Sequence, residues 1–184
     1  MQARDFDIRQ ARTCKCGNTY FRFTTLQNKC VKCLAEKGRK IRIKEKTKEF
    51  KLRKEKLKSR TDFQEEAQKS FNVFIRERDK NLPCISCGTF RALQWDAGHY
   101  EKTSSHPELR FEELNCHKQC SRCNDHLHGN DKEYRKELIN RIGIEKVEWL
   151  EGPHEPKKYT VDDLKQIRDK YRVMAKALKW QKSE

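Results

Sequence analysis

The chain has 184 residues, of which 34% are hydrophobic and 39% are charged, so apolar burial alone would leave its fold marginal. No stretch approaches the roughly 18 apolar residues of a membrane span, which excludes a membrane protein. No apolar run follows Met1, so we expect no secretory signal and a reducing, cytoplasmic location. The net charge of +15 favours a polyanionic partner, nucleic acid above all, and the alternative is a soluble protein that is basic without such a partner.

The first cysteines predict a small zinc module over residues 1–36. Residues 14–33 read CKCGNTYFRFTTLQNKCVKC, a Cys-x-Cys pair followed by a Cys-x2-Cys pair. In a reducing compartment such pairs favour zinc over disulfides, and four thiolates can close a tetrahedron around Zn²⁺. The aromatic residues Tyr20, Phe21 and Phe23 are expected to pack over the site. The proposed ligands are Cys14, Cys16, Cys30 and Cys33, and the alternative is four unligated cysteines in a tail.

A strongly basic segment follows at residues 37–61. Residues 34–60 contain thirteen Lys or Arg and four Glu, a net charge of +9. There is no proline, so a long helix is predicted, with a solvated basic arm as the alternative. Either form would lie along phosphates without reading bases. The residues expected to bind DNA are Arg39, Lys40, Arg42, Lys44, Lys51, Arg53, Lys54 and Lys58.

A better helix is predicted to begin at Asp62, with Glu65 in the position of a capping box. Its apolar residues recur at helical spacing and predict a buried face beneath the metal site. They are Phe63, Ala67, Phe71, Phe74 and Ile75. Pro83 ends the helix just before Cys84.

Two Cys-x2-Cys pairs enclose a compact insert within the segment predicted as the core, residues 62–152. This spacing is a strong signal for structural zinc, because neither pair has the context of a redox motif. The four ligands are Cys84, Cys87, Cys120 and Cys123. Cys116 is left over and is expected to be a small buried residue or a bystander.

The insert between these pairs predicts a nuclease core. Residues 90–95 suit a strand that leads to His99, residues 110–114 suit its antiparallel partner, and a short helix after Cys120 ends at Gly129. A neutral imidazole can take a proton from water, and a divalent cation can offset the charge on the leaving oxygen. His99 is the expected general base and Asn115 would fix its loop. Asp96 and the amide of Asn124 can offer oxygen ligands to Mg²⁺ or Mn²⁺.

The motifs DAGHY and ELNCHKQCSRCN resemble those of HNH nucleases, a branch of the ββα-metal (His-Me finger) enzymes. Together with EGPHEPKKYT, they are similar to the NinG (Rap) recombination endonucleases of lambdoid phages. The resemblance implies cleavage of branched DNA such as Holliday junctions and D-loops. It also implies His99 as general base, Asn115 as the middle asparagine and Asn124 as a metal ligand. Many HNH proteins carry Asp where Gly98 stands, which leaves Asp96 as a direct or an outer ligand. His128 is a further candidate ligand, ahead of His106, His117 and His126.

The remaining residues predict helices. Asp131 can cap a helix that buries Tyr134 and Leu138 and ends at Gly143, and Thr160 with Asp163 forms a second capping box within residues 153–184. Leu164, Ile167, Tyr171, Met174 and Leu178 follow an a/d pattern. This seam packs either onto the chain's own core or against a second copy in a homodimer, which would suit a twofold DNA junction.

The sequence thus predicts an α+β, mostly helical protein with a small zinc-stabilised ββα-metal core, an N-terminal zinc module and a long basic helix between them. The expected function is a metal-dependent, structure-selective DNA endonuclease in the cytoplasm of an infected bacterium, with branched DNA and phage recombination proteins as partners. The alternatives are a zinc-stabilised DNA-binding protein without catalysis and a protein-binding adaptor. An adaptor would show no salt-sensitive DNA binding.

Overall fold

The computed structural model describes residues 11–22, 24 and 26–180. The architecture is a mixed α+β one in which helices predominate. The chain forms two compact units, Met1–Leu57 and Lys58–Glu184. None of the described helices is long and apolar enough to cross a membrane.

The first unit contains a short hairpin and one long helix. Strands β1 (Arg12–Thr13) and β2 (Thr19–Tyr20) pair antiparallel, and helix α1 (Val31–Lys56) begins directly after Cys30. The basic segment therefore forms the predicted long helix, and no residue of α1 is buried. Tyr20 packs on the cysteines as predicted, whereas Phe21 is exposed and does not. Phe23 lies outside the described residues.

The second unit contains helices α2 (Arg60–Arg78), α3 (Asp131–Ile142), α4 (Ile144–Glu151) and α5 (Val161–Trp180). The cap predicted at Asp62 is wrong. Ser59 caps α2 instead, because its hydroxyl accepts from the N–H of Asp62 while the Asp62 carboxylate accepts from the N–H of Ser59. Asp62 is thus the distal member of the capping box. The box predicted at Thr160 and Asp163 is confirmed.

The main core lies between α2 and α5. All five predicted apolar residues of α2 are buried, together with Leu164, Tyr171 and Ala175 of α5. Ile167, Met174 and Leu178 are partly buried against them. The a/d seam of α5 therefore packs onto the chain's own core, and α5 belongs to the same compact unit as α2.

The predicted strands are misplaced by several residues. Strand β3 spans Trp95–His99 and strand β4 spans Cys116–Cys120, paired antiparallel with His99 opposite Cys116 and Trp95 opposite Cys120. Residues 90–94 form a loop, in which the Thr89 hydroxyl bonds to the backbone of Arg91. A 3₁₀ turn at Pro107–Leu109 is followed by further turns over residues 110–114. These turns bury Phe111 but do not pair with a strand.

The two faces of the β3–β4 hairpin contact different helices. Ala97 and Cys116 lie in the cluster with α2, and His99 lies against Phe71. Gly98 and Gln119 meet on the opposite face, where the Tyr134 hydroxyl of α3 donates to Gly98 O at 2.9 Å. Tyr134 and Leu138 are buried with α4, and Gly143 ends α3 at φ +88°, as predicted. The predicted short helix after Cys120 is a single π-helical turn, Arg122–His126.

Candidate functional site

The central cysteines come together around one point. The Sγ atoms of Cys84, Cys87, Cys120 and Cys123 all lie within 4.8 Å of one another, and three of these residues are buried. Gly88, at φ +70°, turns the chain so that its N–H donates to Cys84 O. Four thiol ligands at this separation suit a tetrahedral zinc ion. The quartet links the segment before β3 to the end of β4, so a bound ion would close the hairpin at that end.

Hydrogen bonding prepares one of these thiols for a metal. Burial raises the pKa of Cys84, but the backbone N–H groups of Cys120, Cys87 and Ser86 outweigh it and lower the pKa overall. Burial raises the pKa of Cys120 and Cys123. A cation would reverse that preference because it binds the thiolate.

The N-terminal quartet is equally well assembled. Sγ atoms of Cys14, Cys16, Cys30 and Cys33 also lie within 4.8 Å of one another, with Gly17 at φ +87° in the turn after the short Cys-x-Cys pair. Backbone N–H groups of Cys16 and Cys30 lower the pKa of Cys14 to about 6. In the part of the chain that the structure describes, these two quartets are the only groups of three or more His, Cys, Asp or Glu side chains that could hold an ion.

Asn115 is fully buried and ties together the loop of residues 100–115. Its Oδ1 accepts from the N–H of Glu101 at 2.7 Å, and its Nδ2 donates to Glu101 O and to Leu109 O. Its own carbonyl accepts from the N–H of Tyr100, the residue after His99. Through its side chain and its carbonyl, Asn115 therefore holds both ends of the loop that follows the candidate base.

His99 is held by the fold at both ring nitrogens. Nε2 lies 3.0 Å from Arg110 O and Nδ1 lies 3.8 Å from Cys116 Sγ. Because a carbonyl only accepts, Nε2 carries the proton and Nδ1 is the basic nitrogen. Burial lowers the pKa of His99, with the positive charge of Arg110 acting in the same direction, so the ring is neutral at pH 7. The tautomer is fixed, and the basic nitrogen faces a buried thiol.

Two buried oxygens on the opposite face lack donors. Oδ1 of Asp96 accepts from Gln94, while Oδ2 of Asp96 and Oε1 of Gln119 have no hydrogen-bond partner among the described residues. The two residues pair across the strands and so share a face. Gln119 Nε2 donates to Gly129 O and to the Ser86 hydroxyl, which fixes Oε1 on the other side of the amide. Undonated oxygens are what a hard cation coordinates.

The segment after Cys123 contacts this same face. Gly129 O accepts from Gln119, so the segment that carries Asn124 and His128 ends against the hairpin face of Asp96. Asn124 is partly exposed and its Nδ2 donates to Asp125, whereas His128 is exposed at φ +49°. Within the described residues no hydrogen bond joins His99 to Asp96, Asn124 or His128. Asp96 therefore lies on the hairpin face opposite His99, and the segment that bears Asn124 and His128 is joined to the Asp96 face through Gly129 O.

The comparisons with known proteins agree on one family. A family model described as "Bacteriophage Lambda NinG protein" matches residues 4–181. The chain belongs to the NinG family. It is 50% identical over 135 residues to protein ninG of Escherichia phage 933W, which covers 73% of this chain and 67% of that protein. The identity is 49% to protein ninG of Escherichia phage lambda and 48% to that of Salmonella phage P22, each over 66% of the relative. No solved structure matches.

Gln119 is a candidate site residue of this NinG-family chain that the sequence did not indicate. Its position follows from the register of β3 and β4, which pairs residue 119 with Asp96. The sequence signal was its place directly before Cys120, a candidate zinc ligand. Without the correct strands that signal could not be connected to Asp96.

The other candidate histidines differ in their surroundings. His117 is buried, and its Nδ1 lies 3.3 Å from the Tyr134 hydroxyl, which itself donates to Gly98 O. Burial, with a smaller effect of the Arg78 charge, lowers the pKa of His117 to about 3. His106 lies between the carboxylates of Glu101 and Glu108. His126 is exposed on the π-helical turn.

The residues expected to bind DNA are exposed along α1, with one exception. Lys58 lies beyond the helix and its Nζ is 2.7 Å from the Glu66 carboxylate of α2, so it belongs to the second unit. Lys40 forms an i,i+4 ion pair with Glu36 at the surface. Such exposed pairs contribute little and yield readily to phosphates.

Proposed function

We propose that this NinG-family chain is a metal-dependent endonuclease that cuts branched DNA, such as Holliday junctions and D-loops, during phage recombination. The observation that carries the proposal is the pair of buried, undonated oxygens of Asp96 and Gln119. They lie on the hairpin face that also receives the segment bearing Asn124. A site that leaves buried acceptor oxygens without donors is unfavourable unless a cation or an ordered water occupies it, and a carboxylate beside an amide oxygen suits a cation.

In this proposal Asp96 Oδ2 and the Asn124 amide oxygen hold Mg²⁺ or Mn²⁺, with Gln119 beside them. A bound cation stabilises the negative charge that develops on the scissile phosphate and the leaving oxygen. The two cysteine quartets hold zinc and serve as scaffold. The exposed basic residues of α1 supply affinity through phosphate contacts, so binding weakens as salt rises.

His99 is the proposed general base. Its lowered pKa suits the role because the imidazole is neutral at pH 7 and can take a proton from water. Its Nδ1 faces Cys116 and its Nε2 faces Arg110 O. The step therefore requires the His99 side chain to leave both partners when DNA binds and to present a nitrogen to water at the end of β3, on the side of the hairpin that carries Asp96. Arg110 lies in the loop that Asn115 organises, so loop movement and ring movement are coupled.

The runner-up is a zinc-stabilised DNA-binding protein without catalysis. The geometry of His99 favours it, because an imidazole with both nitrogens engaged inside the fold is what a structural residue looks like. Both functions predict salt-sensitive DNA binding, so cleavage has to discriminate between them.

The deciding experiment assays His99→Ala and His99→Gln on a four-way junction with Mg²⁺ or Mn²⁺. Gln keeps a donor for Arg110 O but cannot act as a base. We expect both variants to lose cleavage by about a hundredfold or more, the usual contribution of a general base, while junction affinity is retained. His154→Ala, whose ring bonds to Leu150 O outside the candidate site, is the control and should cut normally. If His99→Gln and wild type cut the junction equally, His99 is not the general base. If wild type cuts with neither metal, the DNA-binding protein without catalysis is favoured.

A further inference from the structure

The loop of residues 88–94 exposes two large apolar side chains beside the candidate site. Phe90 is 70% exposed and Leu93 is fully exposed, so neither contributes to the core. Single exposed apolar residues are common on protein surfaces. Here two of them share one short loop between the first cysteine pair and β3, and Leu93 stands three residues before Asp96.

The loop is held firmly in this outward position. The N–H of Cys84 donates to Thr89 O at 2.8 Å, and the Thr89 hydroxyl exchanges hydrogen bonds with the backbone of Arg91. Between the two exposed residues, Ala92 packs against the central cysteines, as Trp95 does after them. The backbone therefore fixes the direction of Phe90 and Leu93, and a partner would meet a preformed projection.

Basic residues flank the projection. Arg91 is exposed between Phe90 and Leu93. The N–H of Ser121 donates to Gln94 O, which brings the exposed Arg122 beside the end of the loop. Guanidinium groups bind phosphates and stack on bases. Apolar side chains set between arginines match a partner that offers both base faces and phosphates.

We propose that Phe90 and Leu93 insert between unstacked bases at the branch point of DNA. The inference rests on the proposed function, to which it adds the residues that select branched over continuous DNA. Apolar side chains inserted between base steps are a known means of kinking a duplex, and the unstacking they require costs least where stacking is already interrupted. Stacking on an aromatic ring is tolerant of sequence, because every base has a π face. The loop would thus recognise structure without reading bases.

The test uses the full chain and a four-way junction with 2-aminopurine at the branch point, without added Mg²⁺ or Mn²⁺. Wild type should raise the 2-aminopurine fluorescence, which reports unstacking, and should prefer the junction over a linear duplex. Phe90→Ala/Leu93→Ala should abolish the rise and reduce junction affinity about tenfold or more, the effect expected for lost base stacking. Its duplex affinity should stay within about twofold, because phosphate contacts supply it. Val173→Ala/Trp180→Ala removes equally exposed apolar side chains from α5 and should change nothing.

The inference is overturned if wild type binds the junction without a rise in fluorescence, or if Phe90→Ala/Leu93→Ala keeps both the rise and the preference. Cleavage with Mg²⁺ or Mn²⁺ is measured separately. If Phe90→Ala/Leu93→Ala still prefers the junction over the duplex and still cuts it, the role of the loop is overturned and the proposed endonuclease stands. A wild type that unstacks the branch point but never cuts would support the loop and overturn the endonuclease.

Discussion

A Cβ atom on Gly98 would lie 2.1 Å from Oε1 of Gln119. Gln119 cannot easily retreat, because it is fully buried and its Nε2 donates to Ser86 and Gly129 at 2.6 Å each. The amide oxygen of Gln119 thus fills the space that a side chain at residue 98 would need. The glycine at residue 98 and the glutamine at residue 119 are therefore one packing feature.

Gly98→Ala should destabilise the second unit by about 1–3 kcal/mol, as expected for overpacking a filled site. Urea denaturation at pH 7.5 measures the free energy of unfolding. Gly98→Ala/Gln119→Ala should lose less than the sum of its two single variants, because the shorter side chain removes the clash. Unchanged stability of Gly98→Ala would show that the contact is not tight.

Asn115→Ala should lower the free energy of unfolding by about 2–4 kcal/mol, because two partly buried backbone groups of Glu101 and the buried carbonyl of Leu109 lose their partner. Asn115→Asp keeps an oxygen that accepts from the Glu101 N–H but lacks both amide donors. We expect its free energy of unfolding to be lower than that of wild type as well. Limited proteolysis should show faster cleavage within residues 100–115 in both variants. Asn140→Ala, on the exposed side of α3, is the control, and equal losses in it and in Asn115→Ala would contradict the role of the loop clamp.

The purified protein should contain two zinc ions per chain, one in each quartet. Cys16→Ser and Cys123→Ser should each reduce the metal content to one, measured by inductively coupled plasma mass spectrometry. Loss of the central ion should also destabilise the second unit, because the ion would link both strands. Cys116→Ala, which alters the cysteine outside both quartets, should keep two. A wild-type content of one would show that the N-terminal quartet binds no zinc.

Acid should destabilise the second unit through His117. Its pKa is about 3 in the fold and near 6.5 when unfolded, so below pH 6.5 the unfolded chain takes up a proton that the folded chain does not. Stability contributed by the neutral ring is thus present above pH 6.5 and lost as pH falls, by about 2 kcal/mol at pH 5. Urea denaturation at pH 7.5 and pH 5 should show a smaller decrease for His117→Gln than for wild type. The same decrease in both proteins would assign the acid sensitivity elsewhere.

The helices and the two cysteine quartets could be predicted from the sequence because the spacing of their apolar residues or cysteines indicates them directly. The buried face of α2, the seam of α5 and the end of α3 at Gly143 follow from spacing alone. Strand β4 carries no such signal. It reads CHKQC, every residue of it is buried, and Lys118 is accommodated because its ammonium donates to Lys80 O and lies over the Trp95 ring. Such tertiary partners cannot be inferred from the alternation of apolar and polar residues. The register of β3 and β4 was therefore not predicted, nor was the pairing of Gln119 with Asp96.

Helix α1 combines length with exposure on every side. Its 26 residues extend about 39 Å, slightly more than one turn of B-form DNA at roughly 34 Å. At 100° per residue its lysines and arginines point in all directions around the axis. A rod that is cationic all round has no preferred rotational setting against a duplex. In the proposed complex with DNA, such a helix would roll or slide along the phosphates without losing contacts, and removing any one of its charges should matter little.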